Sequence, residues 1–576
     1  MLKDVYDPLT EYVEVFRERF KDVAKATFAE LAQVAHIDVE ANRTTCRQIY
    51  DNEDAIESFD SQIKRQTILC VFLWVAVAAG IVACFMLYPT LSADSFIAII
   101  AGMLFALFAL ILKIHPTLST LKEERSHLTD STEELRTEAW KQMEPLNRLY
   151  DWDLLTRMMT KTVPRLEFDP YFTTQRLADL KNTYGWNDAF NAERSVIYSH
   201  SGLINGNPFV ICRTKKMEWG SKTYYGSKTI YWTTIERDSN GKSRTVSHSQ
   251  TLTASITAPY PEYYEKTRLI YGNTAAPDLT FYRKKSGLAG KEKSLSFRWK
   301  RHALRRKSRN LSDKDFAMMT NEEFEVAFNT SDRNNNHQFA LLFTPVAQES
   351  MLNLLQDDIA GYGDDFDFEK YKMINTIIPD HLQQINLDLN PEQYRHFDYD
   401  QAEKDFHEVN ASYFRAIYFS LAPLLCVPMY QQIRPHNAIY GNEMPRHSSF
   451  WEHEALANYW GQTYFEHPEC TTDCILKTEH TPNSDGQTTI TVHAHGFKTI
   501  ARVYYEKCWG RDGRIHSVPV YWDEYIPVTG TGKISIQEDN ENIDENINSG
   551  QRIEHINSLL RKSGNNVYRR HITSKV

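Results

Sequence analysis

His493 and His495 stand two apart in a stretch, Gln487 to Ala494 and just beyond, whose alternation reads as a β-strand. Both side chains then leave the same face, a spacing with which one strand can offer two imidazoles to a metal ion. Cys470 and Cys474, four apart, lie upstream with His467 beside them, and extend the candidate ligand set to nitrogen and sulfur donors. Against this, paired Cys-x-x-Cys knuckles are absent and Cys508 has no near partner. The histidines equally suit a polar strand face opposite Ile490, Val492 and Ala494. Both readings stay open, and the metal reading brings with it a metal-dependent hydrolase. A second lead, His453-Glu454-Ala455-Leu456-Ala457, lacks the second histidine of His-Glu-x-x-His, because Ala457 fills that position. An amphipathic helix within Trp451 to Tyr459 accounts for it. No phosphate-binding loop, glycine fingerprint or Gly-x-Ser-x-Gly elbow occurs, so no catalytic residue is assigned and no cofactor is expected.

The other chemistry-bearing stretch is basic. Between Arg283 and Arg309 the chain carries twelve Lys or Arg residues against Glu292 alone, which leaves −21 for the rest of a chain whose total is −10. Arg283, Lys284, Lys285, Arg298, Lys300, Arg301, Arg305, Arg306, Lys307 and Arg309 alternate with Leu288, Leu295, Phe297, Trp299 and Leu304. Such a cluster suits anionic lipid headgroups or, less well here, nucleic-acid phosphates with aromatics for stacking. It also reads as a solvated loop balancing acidic neighbours such as Asp357 to Glu369.

What must position these residues is dominated by two uncharged apolar runs, Thr67 to Tyr88 and Ser95 to Leu112, separated by Pro89 to Asp94. Both reach the ~20 residues a helix needs to cross the hydrocarbon layer, and a tight helical hairpin satisfies every backbone group inside lipid. Lys64 and Arg65 precede the pair, Lys113, Lys122 and Arg125 follow it, and the connector has neither Lys nor Arg. The positive-inside rule then puts both termini in the cytoplasm and the turn outside. The charged fraction of 24% and aromatic fraction of 12% are those of globular protein. Eight cysteines in 576 residues do not suggest a disulfide framework.

Outside the spans, Ile49, Ile56 and Ile63 recur every seven residues, as do Leu121, Leu128 and Leu135. Each series keeps one helical seam apolar, which predicts that the helix through Ile49 to Ile63, the last of the N-terminal cytoplasmic helices of residues 1–66, packs antiparallel on a helical stalk, 113–162, that continues the hairpin, with Pro116 kinking or restarting the second arm. Phe16, Phe20, Val23 and Leu31 line a further helix whose mixed charge favours protein packing over a membrane surface.

From about Val163 short strands and turns take over. Asn207 to Cys212 reads as a buried strand. Thr229 to Glu236 and Arg244 to Ile256 flank Asn240-Gly241, a strong hairpin signal. A strand is expected at Gln338 to Pro345, followed by a helix carrying Met351, Leu354 and Leu355. Beyond Thr376 come a helix over Tyr399 to Tyr418 that runs into an apolar core stretch, then strands at Gln487 to Ala494, Thr499 to Tyr505 and Ile515 to Tyr525. The expected fold is α+β: a two-helix transmembrane hairpin with helical cytoplasmic flanks and two mainly antiparallel α+β cytoplasmic domains, 163–375 and 376–532. A polar tail, 533–576, follows, with one apolar stripe at Ile553, Ile556 and Leu560.

Asn321-Glu322-Glu323-Phe324-Glu325-Val326-Ala327-Phe328, the Gln338 to Pro345 segment, and Met351 with Leu354 resemble the family called domain of unknown function 3137, found in bacterial membrane-associated proteins. Ser201 to Gly206 resembles its upstream half, so the likeness covers about Pro164 to Leu355. It implies a bacterial cell-membrane protein and a packing architecture but no reaction, since the family's motifs here contain no catalytic residue. The basic insert and the region after Asp357 depart from it. The expectation is a membrane-anchored interaction or scaffolding protein rather than an enzyme. Its expected partners are the bilayer, a protein or second copy met through the stalk, and anionic lipid ahead of nucleic acid.

Overall fold

In a computed structural model the described residues are 7–87, 93–237, 241–309, 316–388, 390–434, 447–482, 488–538, 566–569 and 571–575. They form two compact units, one of residues 1–24, 151–390 and 410–576, the other of 25–150 and 391–409. Apart from residues 391–409, the two stretches expected as separate α+β domains, 163–375 and 376–532, fall in a single unit.

The second unit is helical. A 49-residue helix, Val39–Leu87, lies antiparallel to a run made of Ala93–Ala109, a π-helical turn at Leu110–Ile114 and His115–Asn147. Register along the pair is fixed by Asn42 and Thr45 meeting Gln142, Glu53 pairing with Arg136, Asp60 with Arg125 at 2.6 Å, and Gly80 lying against Met103. Ile49, Cys46 and Ala139 are buried at the seam with Leu135. Pro116 sits just past the π turn in an otherwise continuous helical run, and it neither breaks the run nor restarts it. Around the apolar stretches the side chains point outward. Only 6% of the apolar window in the first helix and 17% of that in the second are buried, whereas a core helix of a water-soluble fold would be mostly covered. The connector lies partly outside the described residues.

The first unit is built on two antiparallel sheets. The larger contains β1 (Leu166–Phe168), β2 (Arg194–Ile204), β3 (Asn207–Arg237), β4 (Ser243–Gly272), β5 (Thr280–Arg283), β6 (Phe366–Tyr371) and β7 (Ile374–Pro379), in the order β1-β2-β3-β4-β7-β6-β5. The smaller contains β8 (Ile475–Pro482), β9 (Thr488–Trp509), β10 (Ile515–Glu538), β11 (Asn566–Tyr568) and β12 (His571–Lys575), ordered β11-β12-β10-β9-β8. The end of the expected polar tail is thus ordered sheet; its apolar stripe at Ile553 to Leu560 lies outside the described residues.

Two hairpins outgrow everything the turn signals announced. β3 and β4 pair without a break from Phe209–Tyr271 to Arg237–Ser243, and β9 and β10 from Trp509–Ile515 to Thr488–Ile536. At ~3.3 Å per residue the first extends about 95 Å. The distal parts stack face to face: Ile230, Leu252 and Ala254 bury against Val518 and Val520, with Trp232 and Cys508 alongside. All these residues are even-numbered, as one face of a period-2 strand requires.

The helix Phe450–Trp460 lies between the sheets. Trp451 and Ala455 join the core of the larger one with Phe172, Val210 and Ile270. Leu456 and Ala457 join that of the smaller one with Leu476, Val492 and Ile534. Covered on both sides, it is buried nearly all round and is not the amphipathic helix its sequence suggested. A second correction concerns Gln338 to Pro345. Asn336–Leu342 is helical, capped by the Asn335 side chain. Phe339 and Phe343, four apart, reach the same aromatic cluster as Phe281, Phe324 and Phe328, and Leu342 is buried. Among the N-terminal residues, Phe20 stacks on Phe414 at 4.2 Å and Tyr12 and Phe16 meet Tyr418; that helix packs on protein.

Candidate functional site

The four candidate metal ligands do not converge. Ile490, Val492 and Ala494 are buried on one face of β9, and Gly496 continues that face. A Cβ on Gly496 would strike the thiols of Cys470 and Cys474, whose sulfurs lie 3.6 Å apart. His493 and His495, odd-numbered, leave the opposite face. There His493 lies 3.7 Å from Glu479 and His495 hydrogen-bonds the Thr529 hydroxyl at 3.1 Å. The sheet itself separates cysteines from histidines, and among the described residues no three His, Cys, Asp or Glu side chains gather as a metal site. The metal reading is corrected accordingly: strand parity supplies the polar face.

The densest buried charge surrounds the helix Phe450–Trp460, where sequence reasoning saw only a broken zinc motif. Glu452 accepts from the Ser199 hydroxyl at 3.0 Å and the Phe172 N–H, and pairs with Arg569 at 3.3 Å. Arg569 has φ +53°, lies 4.6 Å from the Tyr198 ring and donates to the Ser199 carbonyl. Two residues, about half a turn, further on the helix, Glu454 takes the Lys477 ammonium at 2.6 Å, the Val196 N–H at 2.9 Å and the Asn191 amide. The Val196 N–H and carbonyl, the latter taken by the Asn458 amide at 2.8 Å, both face the helix, on the edge of β2 that β1 covers only at Gly202 to Ile204. Burial pushes both carboxyls above their ordinary range, with Arg569 and Lys477 pulling the other way. His453, 3.0 Å from the Ser448 hydroxyl, is pushed down to about 3 by burial and then by His480. His200 is likewise pushed to about 3, by burial and then by Arg569. The cavity beside His200, Tyr198, Asp388 and Arg569 measures about 30 Å³, room for a water and not for a substrate. These charges tie helix, both sheets and the C-terminal strands together; their chemistry is structural.

The basic stretch separates into two populations. Arg283 is fully buried, bonded to Asp364 and the Phe366 carbonyl. Lys285 pairs with Asp380, Arg305 with Glu322 at 2.6 Å, and Lys307 reaches the Ser331 carbonyl. The helix Leu295–Ser308 turns Phe297 and Leu304 inward, which leaves Leu295 and Trp299 73% and 77% exposed beside exposed Arg298 and Arg306. Lys284 and Arg309 are also exposed, and Lys300 and Arg301 half-buried.

Outside the two apolar helices, one exposed aromatic display escaped the sequence reading. The outward faces of the stacked hairpins carry Tyr225, Tyr231 and Ile235 on β3, and Tyr505, Trp509, Ile515 and Tyr521 on β9 and β10, each more than half exposed. Most of these residues lie in stretches that the sequence marks as strands, Tyr231 and Ile235 in Thr229 to Glu236 and Ile515 and Tyr521 in Ile515 to Tyr525; what the sequence does not reveal is which face of each strand the other hairpin covers. Comparison with known protein families, curated proteins and solved structures found no match, so the functional reading rests on geometry.

Proposed function

We propose that the protein is a two-span membrane protein whose first unit acts on the cytoplasmic side as an interaction or scaffolding module, with the stacked hairpins as its contact surface. The observation that carries this is the row of exposed aromatics on a doubly stacked β-arm. Tyrosine and tryptophan are the side chains that protein interfaces favour and that most often carry their binding energy. The apolar side chains that face outward along the two long helices support the membrane anchor. The arm is tested on full-length protein recovered from its native membranes. A stoichiometric partner, or a second copy, is expected with the parent protein and lost from Tyr231→Ser/Trp509→Ser, whose melting should be unchanged. A partner-free monomer, or a partner that ignores both substitutions, overturns the reading. Stoichiometric zinc in the same sample would revive a hydrolase.

A second reading is favoured by Leu295 and Trp299 among Arg298 and Arg306: apolar anchors within a cationic rim suit an anionic lipid surface. In proteoliposomes with brominated acyl chains, quenching that disappears in Trp299→Phe reports this helix, and quenching that disappears in Trp74→Phe reports the first span. Quenching of Trp299 in phosphatidylglycerol but not phosphatidylcholine supports the lipid contact; none in either removes it.

A further inference from the structure

At the root of the long hairpin, one face of the larger sheet carries an excess of positive charge. Arg194 on β2 stands directly across from Lys216 on β3. On the adjoining ladder Lys216 faces Tyr264, Thr214 faces Lys266 and Cys212 faces Arg268. Positions two apart along a strand share a face, so these residues form three consecutive rows. Nearer the core that face is covered, with Val196, Val210 and Ile270 under Trp186 and Phe190. Here it opens into a cavity of about 260 Å³ lined by Arg194, Thr214, Lys216, Glu218, Lys266 and Arg268 with Tyr264.

The charges in it do not balance. Lys216 is shared between Glu218 at 3.0 Å and Glu193 at 3.5 Å. Arg194, Lys266 and Arg268 meet no carboxylate within 4 Å among the described residues. Both guanidiniums approach a single ring, Phe190, at 4.5 and 5.3 Å. Arg194 donates to the Phe190 carbonyl, and Arg268 donates to the Thr214 hydroxyl oxygen at 3.1 Å. Those bonds fix the two forks without neutralising them. Like charges directly opposite on a ladder destabilise it, and burial disfavours the Arg268 charge, with Arg194 adding to that and Cys212 and Glu369 opposing it in part. A folded sheet that gathers unpaired cations in a recess with room for a guest has the makings of an anion receptor, and planar guanidinium forks match tetrahedral oxyanions.

We propose that this recess is an oxyanion site for a phosphate or diphosphate group, with Arg194 and Arg268 as forked donors and Lys216 and Lys266 as point charges. Three cations without carboxylate partners favour a multiply charged guest over a single carboxylate. The site lies within one unit and stands independently of the membrane reading.

The test uses full-length protein in detergent and phosphate-free chloride buffer, titrated calorimetrically with inorganic phosphate and with pyrophosphate. Saturable binding is expected, tighter for pyrophosphate, and about tenfold weaker in Arg194→Gln and in Arg268→Gln, each of which loses a charged fork. Arg306→Gln, outside the recess, should bind as the parent does. Heats that do not saturate, or equal affinity in all four proteins, overturn the proposal. Lys266→Gln guards against a folding artefact. With repulsion relieved it should melt no lower than the parent in anion-free buffer, yet bind pyrophosphate more weakly; a lower melting point makes the lysine structural and defeats the charge-excess argument. Repeating the titration in nanodiscs identifies the source of the phosphate. Weaker pyrophosphate binding in phosphatidylglycerol than in phosphatidylcholine means that a lipid headgroup occupies the site, and equal binding means a soluble phosphate compound.

Discussion

Glu452 and Arg569 illustrate how a buried charge commits a fold to its partner. Both are almost fully buried, so removing the cation leaves a carboxylate in low dielectric with only the Ser199 and Phe172 donors. Arg569→Met is expected to lower stability by about 3 kcal/mol in urea unfolding. The loss should be larger at pH 8 than at pH 5. Burial already raises the Glu452 carboxyl, and without Arg569 it rises further, so that at lower pH a proton can replace the missing cation. Adding Glu452→Gln should restore part of the stability; no recovery would mean that Arg569 acts by packing on Tyr198 alone. The two buried histidines give a second pH signature. Unfolded, His200 and His453 take a proton near 6.5; folded, not until about 3. Unfolding therefore takes up protons between those values, and stability falls as the pH drops through that window and levels off below it. In His453→Gln the fall between pH 6 and 4 should be visibly shallower in urea midpoints, whereas an unchanged slope would show that His453 is solvated. None of these partners was legible in the sequence, because Glu452, Ser199 and Arg569 are joined only by the three-dimensional path of the chain.

Among the elements, legibility followed local pattern. The two apolar runs, the sevenfold seams at Ile49 and Leu135, the Asn207 strand and the Asn-Gly hairpin were all readable, since each is written in consecutive residues at a fixed period. The lengths of the hairpins were not. Beyond Trp219 their inner faces are covered by another hairpin nearly 300 residues away in sequence, and periodicity alone does not reveal that cover. The same blindness misread Asn336–Leu342, where Phe339 and Phe343, at helical spacing in one aromatic cluster, resembled a short buried strand. Gly226 shows what the stacking demands. A Cβ there would lie 2.0 Å from the Pro519 carbonyl oxygen, a clash that only separation of the hairpins relieves. Gly226→Ala should cost about 1–3 kcal/mol, as overpacking does, and the cost should stay local. Amide exchange is expected to accelerate around Ile230, Leu252 and Val520 and to remain slow around Trp451; uniform acceleration would mean that arm and core unfold together.

For the whole molecule the decisive question is which side of a membrane the sheets occupy. On the proposed two-span reading the chain returns to its starting side, and the positive-inside rule applied to Lys64, Arg65, Lys113, Lys122 and Arg125 makes the cytoplasm the expected side. Single cysteines added at Ser92, in the connector, and at Ser61, before the first span, separate the two orientations. In intact cells an impermeant maleimide should label Ser92→Cys above the parent background and reach Ser61→Cys only after permeabilisation. The reverse pattern would place every domain outside. A native reporter gives an independent answer in the unlabelled protein. Cys470 and Cys474 hold their sulfurs 3.6 Å apart in a pocket kept open by Gly496, close enough for a disulfide after a small side-chain movement. In a reducing cytoplasm both should be recovered as free thiols by mass spectrometry after rapid acid quenching, whereas an oxidising compartment would join them. Agreement between the label and the native pair would fix the orientation on two unrelated chemistries, and with it the compartment in which any partner of the aromatic arm must be sought.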